Sequence, residues 1–246
     1  MRLITKGSQV APVPAASVAV ADPDGHAIPG HPQTARTARM AALSAVVFAA
    51  LFTAALVLVD KIPGLSAPDS AYQAFYTAGS SGVVVTVGLY LVPFAGIAFL
   101  WFTMAFRALL DNPSRLTGGL HLASAVAFLS LLFAGTATAG AVALMLHLTS
   151  VPAPPVSVGR TLTGVGYGLV FVYGVRMAGM FVITTTTLAR RAGLMPRWLA
   201  VLSYVMAAFL LVTTTTQPAT LLVLPAWALL MGVVLFLSTR RAPSPR

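Results

Sequence analysis

Apolar residues run along this chain in six long stretches rather than at helical or alternating intervals. They cover about Met40–Val59, Gly82–Phe106, Gly118–Leu148, Leu162–Ala189, Trp198–Val212 and Ala219–Leu237. A helix needs ~20 predominantly apolar residues to cross a hydrocarbon core about 30 Å thick. Each stretch approaches or exceeds that length, the fifth being the shortest. The pattern predicts an all-α fold, a polytopic membrane bundle of six transmembrane helices. The third and fourth stretches are longer than a perpendicular crossing needs, so they must tilt, kink or project. Pro93, inside the second, lacks a backbone N–H and should bend it. Pro196 suits the start of the fifth, because its fixed φ is compatible with a first helical turn.

Between the first two stretches lies "PDSAYQAFYTAGSSG", which reads as a short amphipathic helix. Asp69 or Ser70 can cap its start and Gly79 can end it. Tyr72, Phe75 and Tyr76 would then share one face. That face suits an aromatic anchor at headgroup level; the sharper alternative is a lid over a cavity. Residues 1–36 are rich in Pro, Gly, Ala and Ser and have no periodic apolar residues, so they read as a disordered tail. Residues 37–241 form the six-helix transmembrane domain, and residues 242–246 a short second tail.

Charge changes the picture from spans to orientation. Arg2, Lys6, Arg36, Arg39, Arg107, Arg115, Arg190, Arg191, Arg197, Arg240, Arg241 and Arg246 fall on one side of the membrane in the six-span reading. Lys61 and Arg160 fall on the other, and Arg176 lies inside the fourth span. Lys/Arg bias sets orientation, so the first group and both termini should face the cytoplasm. The expected location is the plasma membrane of a bacterium, its inner membrane. A net charge of +10 could point to nucleic acid. The basic residues flank apolar spans, however, and only 8% of the chain is charged. Lipid is therefore the expected partner, together with a membrane protein or a second copy, and nucleic acid is not.

Candidate chemistry is sparse. The chain has no cysteine, which excludes disulfides and thiolate metal sites. No P-loop, H-E-x-x-H or G-x-S-x-G motif occurs, and no cofactor is expected. His121 and His147 bracket the third span about 39 Å apart along a straight helix, too far to share a metal; each reads as an interfacial histidine. His26 and His31 lie in the tail. Gly164 and Gly168 form a G-x-x-x-G pair and Gly135 with Ala139 a weaker one, both suited to close helix packing. The runs Thr184–Thr187 and Thr213–Thr216 lie at opposite membrane faces and should bond back to helix carbonyls.

Arg176 is the leading candidate. A cation at the bilayer centre costs at least ~2.5–3.5 kcal/mol on insertion scales, so it should face the bundle and have a partner. No span holds a carboxylate. Counting depth from the span ends brings Tyr204 and Trp227 to its level, with Tyr173 three residues earlier on its own helix. These four are the candidate ligand-binding residues, and an aromatic face could hold the guanidinium by a cation–π contact.

Three segments carry a resemblance: "AFLWF" at Ala98–Phe102, "RMAGMFV" at Arg176–Val182 and "GLMPRWLAVLSY" at Gly193–Tyr204. Together they resemble a group of uncharacterised six-span integral membrane proteins of high-GC Gram-positive bacteria, over roughly residues 40–238. The resemblance implies that an arginine at 176 belongs to the pattern, and it supplies no activity. Three functions therefore compete. The first is a structural or accessory membrane protein that binds a partner. The second is a carrier or binder of a small anion or anionic lipid centred on Arg176. The third is a membrane enzyme.

Overall fold

A computed structural model describes residues 32–77, 82–110, 114–213 and 218–240. All secondary structure among them is helical. We label the helices α1 (Pro32–Val59), α2 (Asp69–Thr77), α3 (Gly82–Arg107), α4 (Arg115–Leu148), α5 (Val156–Arg191), α6 (Arg197–Val212) and α7 (Val223–Arg240). Five of these regions, α1, α3, α4, α5 and the stretch Ala219–Leu237, are long and apolar enough to cross a membrane. The chain is accordingly a multi-pass membrane protein. The sixth expected span, α6, is an apolar helix of 16 residues, about 24 Å long at 1.5 Å per residue. It falls short of the ~30 Å core.

Helix α1 already begins at Pro32, inside the stretch that composition assigns to the first tail. The rest of that tail, with His26 and His31, and the second tail lie outside the described residues, as do Gly79, Asp111 and Thr214–Thr216.

Two helices widen locally. In α3 the segment Val87–Leu91 is a π-helix that runs directly into Pro93. A proline removes one donor and crowds the carbonyl four residues back, and a wider turn relieves that clash. In α5 the π segment is Gly168–Gly174 and ends two residues before Arg176. Such segments are rare and usually short. The turn from α5 to α6 follows from Gly193 at φ 67°. Its N–H donates to the Arg190 carbonyl and the Leu194 N–H to the Ala189 carbonyl, the paired bonds of a glycine-terminated helix. Pro196 then takes the capping position before Arg197.

The long helices form two groups. In one, α1 packs between α3 and α7; in the other, α5 packs between α4 and α6. Small residues allow the first: Ala38, Ala41, Ala45 and Ala49 of α1 are fully buried. In the second, a Cβ on Gly166 of α5 would stand 2.5 Å from the Gly135 carbonyl oxygen and 2.6 Å from the Ala139 Cβ of α4. The backbones touch there, as close-packed membrane helices do at small residues. Gly164 and Gly168, the pair expected from sequence, have little or nothing against them.

An aromatic centre joins the two groups. Phe48 and Phe52 of α1, Phe99, Phe102 and Phe106 of α3, Phe128 of α4, Phe181 of α5 and Trp227 of α7 are 0–1% exposed. Phe99 meets Phe181 at 4.7 Å between ring centroids and Phe128 at 5.3 Å. Phe102 and Phe181 both meet Trp227 edge-on, at 6.4 and 6.0 Å. Offset and edge contacts of this kind add about 0.5–1.5 kcal/mol per pair beyond area burial.

Candidate functional site

Arg176 follows from the π segment of α5. Its guanidinium turns back along its own helix and Nη1 donates to the Val172 carbonyl. The most buried face of α5 carries Phe171, Val175, Ala178, Phe181 and Val182. Arg176 itself is half-buried on the flank next to α6. There Gly179 fits against Ala207 and Leu211 of α6. Further along, the Thr187 hydroxyl lies 2.9 Å from the Tyr204 hydroxyl. The same antiparallel register carries Arg176 to the level of the last turn of α6. A helix C-terminus presents unpaired carbonyls and the negative end of the macrodipole. The C-terminal end of the short α6 thus lies near the level of Arg176.

The other candidate residues are dispersed. Tyr173 is 60% exposed and points away from the bundle. Tyr204 bonds to Thr187, eleven residues beyond Arg176 and so about 16 Å along the helix. Trp227 is fully buried, packs on Phe102 and Phe181, and donates from Nε1 to the Ser203 Oγ at 2.9 Å. The depth count placed Tyr204 and Trp227 near Arg176, but the structure engages both elsewhere. A count from span ends ignores stagger between helices.

A polar centre replaces them near the Arg107 end of the bundle. His121 of α4 is fully buried rather than interfacial. Its ring stacks on Phe181 at 4.8 Å and 23° and leans on Phe106 at 5.6 Å. Nδ1 lies 3.2 Å from the Thr185 Oγ1, and Nε2 has no hydrogen-bond partner among the described residues. Arg107 of α3 sits at the same end and donates from Nη1 to the Gly118 carbonyl. Ser124, Thr103, Thr184, Thr186 and Ser203 are also buried, and the first four bond back to carbonyls of their own helices. His121 was legible in one respect. It falls in register with Gly118, Ala125, Phe128, Leu132 and Gly135, all on the buried face of α4.

At the other end, α2 lies on the bundle. Tyr72 is 1% and Phe75 9% exposed, so the aromatic face meets protein rather than headgroups. Arg160 of α5 clamps it: Nη2 donates to the Ala67 carbonyl and to Asp69 Oδ1, both at 2.7 Å, and the guanidinium lies 5.1 Å over the Tyr72 ring. Burial pushes the Tyr72 phenol above its usual pKa, against a smaller opposing pull from Arg160. Burial, with Tyr72 beside it, also raises Tyr76.

The chemistry these groups offer is limited. Asp60 and Asp69 lie at the α2 end, remote from His121, so no base–nucleophile–acid set forms from them. No group of three or more metal-ligating side chains occurs among the described residues. No protein-family model matches the chain, and no curated protein or solved structure matches it either.

Proposed function

We propose that the chain is a six-span protein of the bacterial inner membrane, with both termini cytoplasmic, and that it serves as a structural or accessory subunit that binds a membrane partner. The observation that carries this reading is the sealed aromatic centre, in which seven phenylalanines and Trp227 are 0–1% exposed. A carrier needs a path for its substrate across the bundle. Interdigitated rings at that depth oppose one. The basic residues that flank the spans support the orientation.

A surface suited to a partner helix lies on the opposite group. Tyr90, Phe94, Ile97 and Trp101 of α3 are each about half exposed, at 58, 55, 49 and 56%. Their 4-3-4 spacing aligns them along one helix face. With Leu43 and Val47 of α1 they line a groove of about 490 Å³. The runner-up reading, an anion or anionic-lipid site, draws on the half-buried guanidinium of Arg176 beside the exposed Tyr173.

The test has two arms. A photo-crosslinking amino acid at Trp101, in cells that express the full chain at native level, should give one discrete protein adduct. The same probe at Val205, on α6, should give none. Purified chain in liposomes should pass neither chloride nor phosphate. Anion flux that Arg176→Leu abolishes would overturn the accessory reading in favour of the runner-up.

A further inference from the structure

Helices α5 and α6 run antiparallel from the tight turn at Gly193, and two contacts fix how they face each other. The Thr187 hydroxyl meets the Tyr204 hydroxyl at 2.9 Å, and Gly179 fits against Ala207 and Leu211. At about 100° per residue, Arg190 and Arg191 stand roughly 60° and 40° to either side of Thr187, and Arg197 roughly 20° from Tyr204. The first two lie about 4–6 Å beyond Thr187 along α5, and the third about 10 Å beyond Tyr204 along α6. The three arginines therefore share one end of the α5–α6 seam, and all three are exposed. No ion pair reaches any of them among the described residues. The described carboxylates, Asp60 and Asp69, lie at the opposite end of the bundle, where Asp69 pairs with Arg160 at the start of α5.

Below that cationic rim the outer face of α6 is apolar. Trp198, Val201, Val205, Phe209 and Val212 are all exposed. Their spacing keeps them on one face, centred about 100° from Tyr204. Arg197 stands between this stripe and the seam, one turn from Val201. Trp198 heads the stripe beside it, in the place of an interfacial anchor. A rim of guanidinium groups suits a phosphate, because arginine bonds it through two donors at once. An exposed apolar stripe beneath the rim suits hydrocarbon. A free phosphate would use the rim alone, and a soluble acidic peptide would leave the stripe bare. An anionic lipid uses both.

We propose that the rim and stripe form a site for an anionic phospholipid, its headgroup held by Arg190, Arg191 and Arg197 and one acyl chain lying along Val201, Val205 and Phe209. The site is distinct from Arg176, which lies near the level of the other end of α6. It rests on the six-span reading in one respect, that α6 lies in the bilayer.

The experiment uses the full chain in phosphatidylcholine nanodiscs doped with a probe lipid that carries a diazirine on its acyl chain. The probe is either phosphatidylglycerol or phosphatidylcholine. After irradiation, peptide mapping should place about tenfold more of the anionic probe than of the neutral one on Val201, Val205 or Phe209. Each basic residue at a membrane surface favours an anionic lipid by roughly fivefold, less the screening by salt. Arg190→Gln, Arg191→Gln and Arg197→Gln combined should bring the ratio to about one. Lysine at the same three positions keeps the charges and should retain about half of the preference, which separates lost charge from lost fold. Arg36→Gln with Arg39→Gln, at exposed positions of α1, should leave the ratio unchanged, as should excess inorganic phosphate. Equal labelling of wild-type α6 by the two probes would overturn the proposal and keep α6 in lipid. No adduct on α6 from either probe would overturn it together with the six-span reading. An equal fall in the Arg36/Arg39 variant would reduce the site to the general charge of that face, and displacement by phosphate would make it a free-anion site; either result also overturns it.

Discussion

Thr185 and His121 face each other across α5 and α4 with Oγ1 and Nδ1 3.2 Å apart, and a third group sets the direction of their bond. The Thr185 hydroxyl gives its single proton to the Phe181 carbonyl at 2.7 Å. Neutral His121 must therefore donate through Nδ1 and keep Nε2 as a bare acceptor. Thr185→Val removes the acceptor and strands a buried N–H. We expect a loss of about 1–3 kcal/mol in stability, read as a lower melting temperature in detergent. Pairing it with His121→Leu should recover much of that loss, because apolar replacement of both partners is nearly neutral. A double variant as unstable as the sum of the two single ones would refute the coupling.

Gly166 and Gly168 should respond oppositely to a methyl group. Gly166→Ala forces a Cβ against the Gly135 carbonyl and Ala139, an overpacking that costs about 1–3 kcal/mol. Gly168→Ala meets nothing within 4 Å and should change stability by less than ~0.5 kcal/mol. Thermal unfolding of the two variants side by side decides it. Equal effects would mean that α4 and α5 do not cross where described.

At position 176 the sign of the charge should matter more than its loss. If the end of α6 is the counter-pole, Arg176→Glu sets an anion against carbonyls and lowers the yield of folded protein well below that of Arg176→Leu. Arg176→Lys keeps the charge, loses the planar fork, and falls between wild type and leucine. Comparable folded yields for Glu and Leu would remove α6 from the account.

The clamp on α2 predicts a one-sided pH response. Tyr72 and Tyr76 have folded pKa values above the ordinary 10.0, so the folded state holds those protons more tightly than the unfolded one. Their contribution is intact at neutral pH. It is lost as pH rises above about 10 through the folded values. An alkaline absorbance titration should show these phenols ionising late, together with loss of α2 docking. Early ionisation of all six tyrosines would contradict the burial of α2.

Orientation is open to labelling, because the chain lacks cysteine. Ser66→Cys should react with an impermeant maleimide in intact cells, and Asn112→Cys should react only after permeabilisation. The reverse pattern would invert the topology, and reaction of both in intact cells would remove a span.

The sequence by itself determined that this chain is a helical membrane protein, where most of its helices lie, and that Pro93 and the segment after Asp69 break the pattern. Those features follow from local chemistry. Lipid demands long apolar runs whose backbone bonds close within the segment, and proline acts on its own turn. Register between helices is different. That Gly166 rather than Gly164 or Gly168 meets α4, that His121 stacks on Phe181, and that Trp227 binds Ser203 all depend on the rotation and stagger of neighbouring helices. In these helices nearly every face is apolar, so hydrophobic periodicity is too weak to say which face turns inward. Only tertiary packing, through ring contacts and backbone approach at small residues, decides those positions.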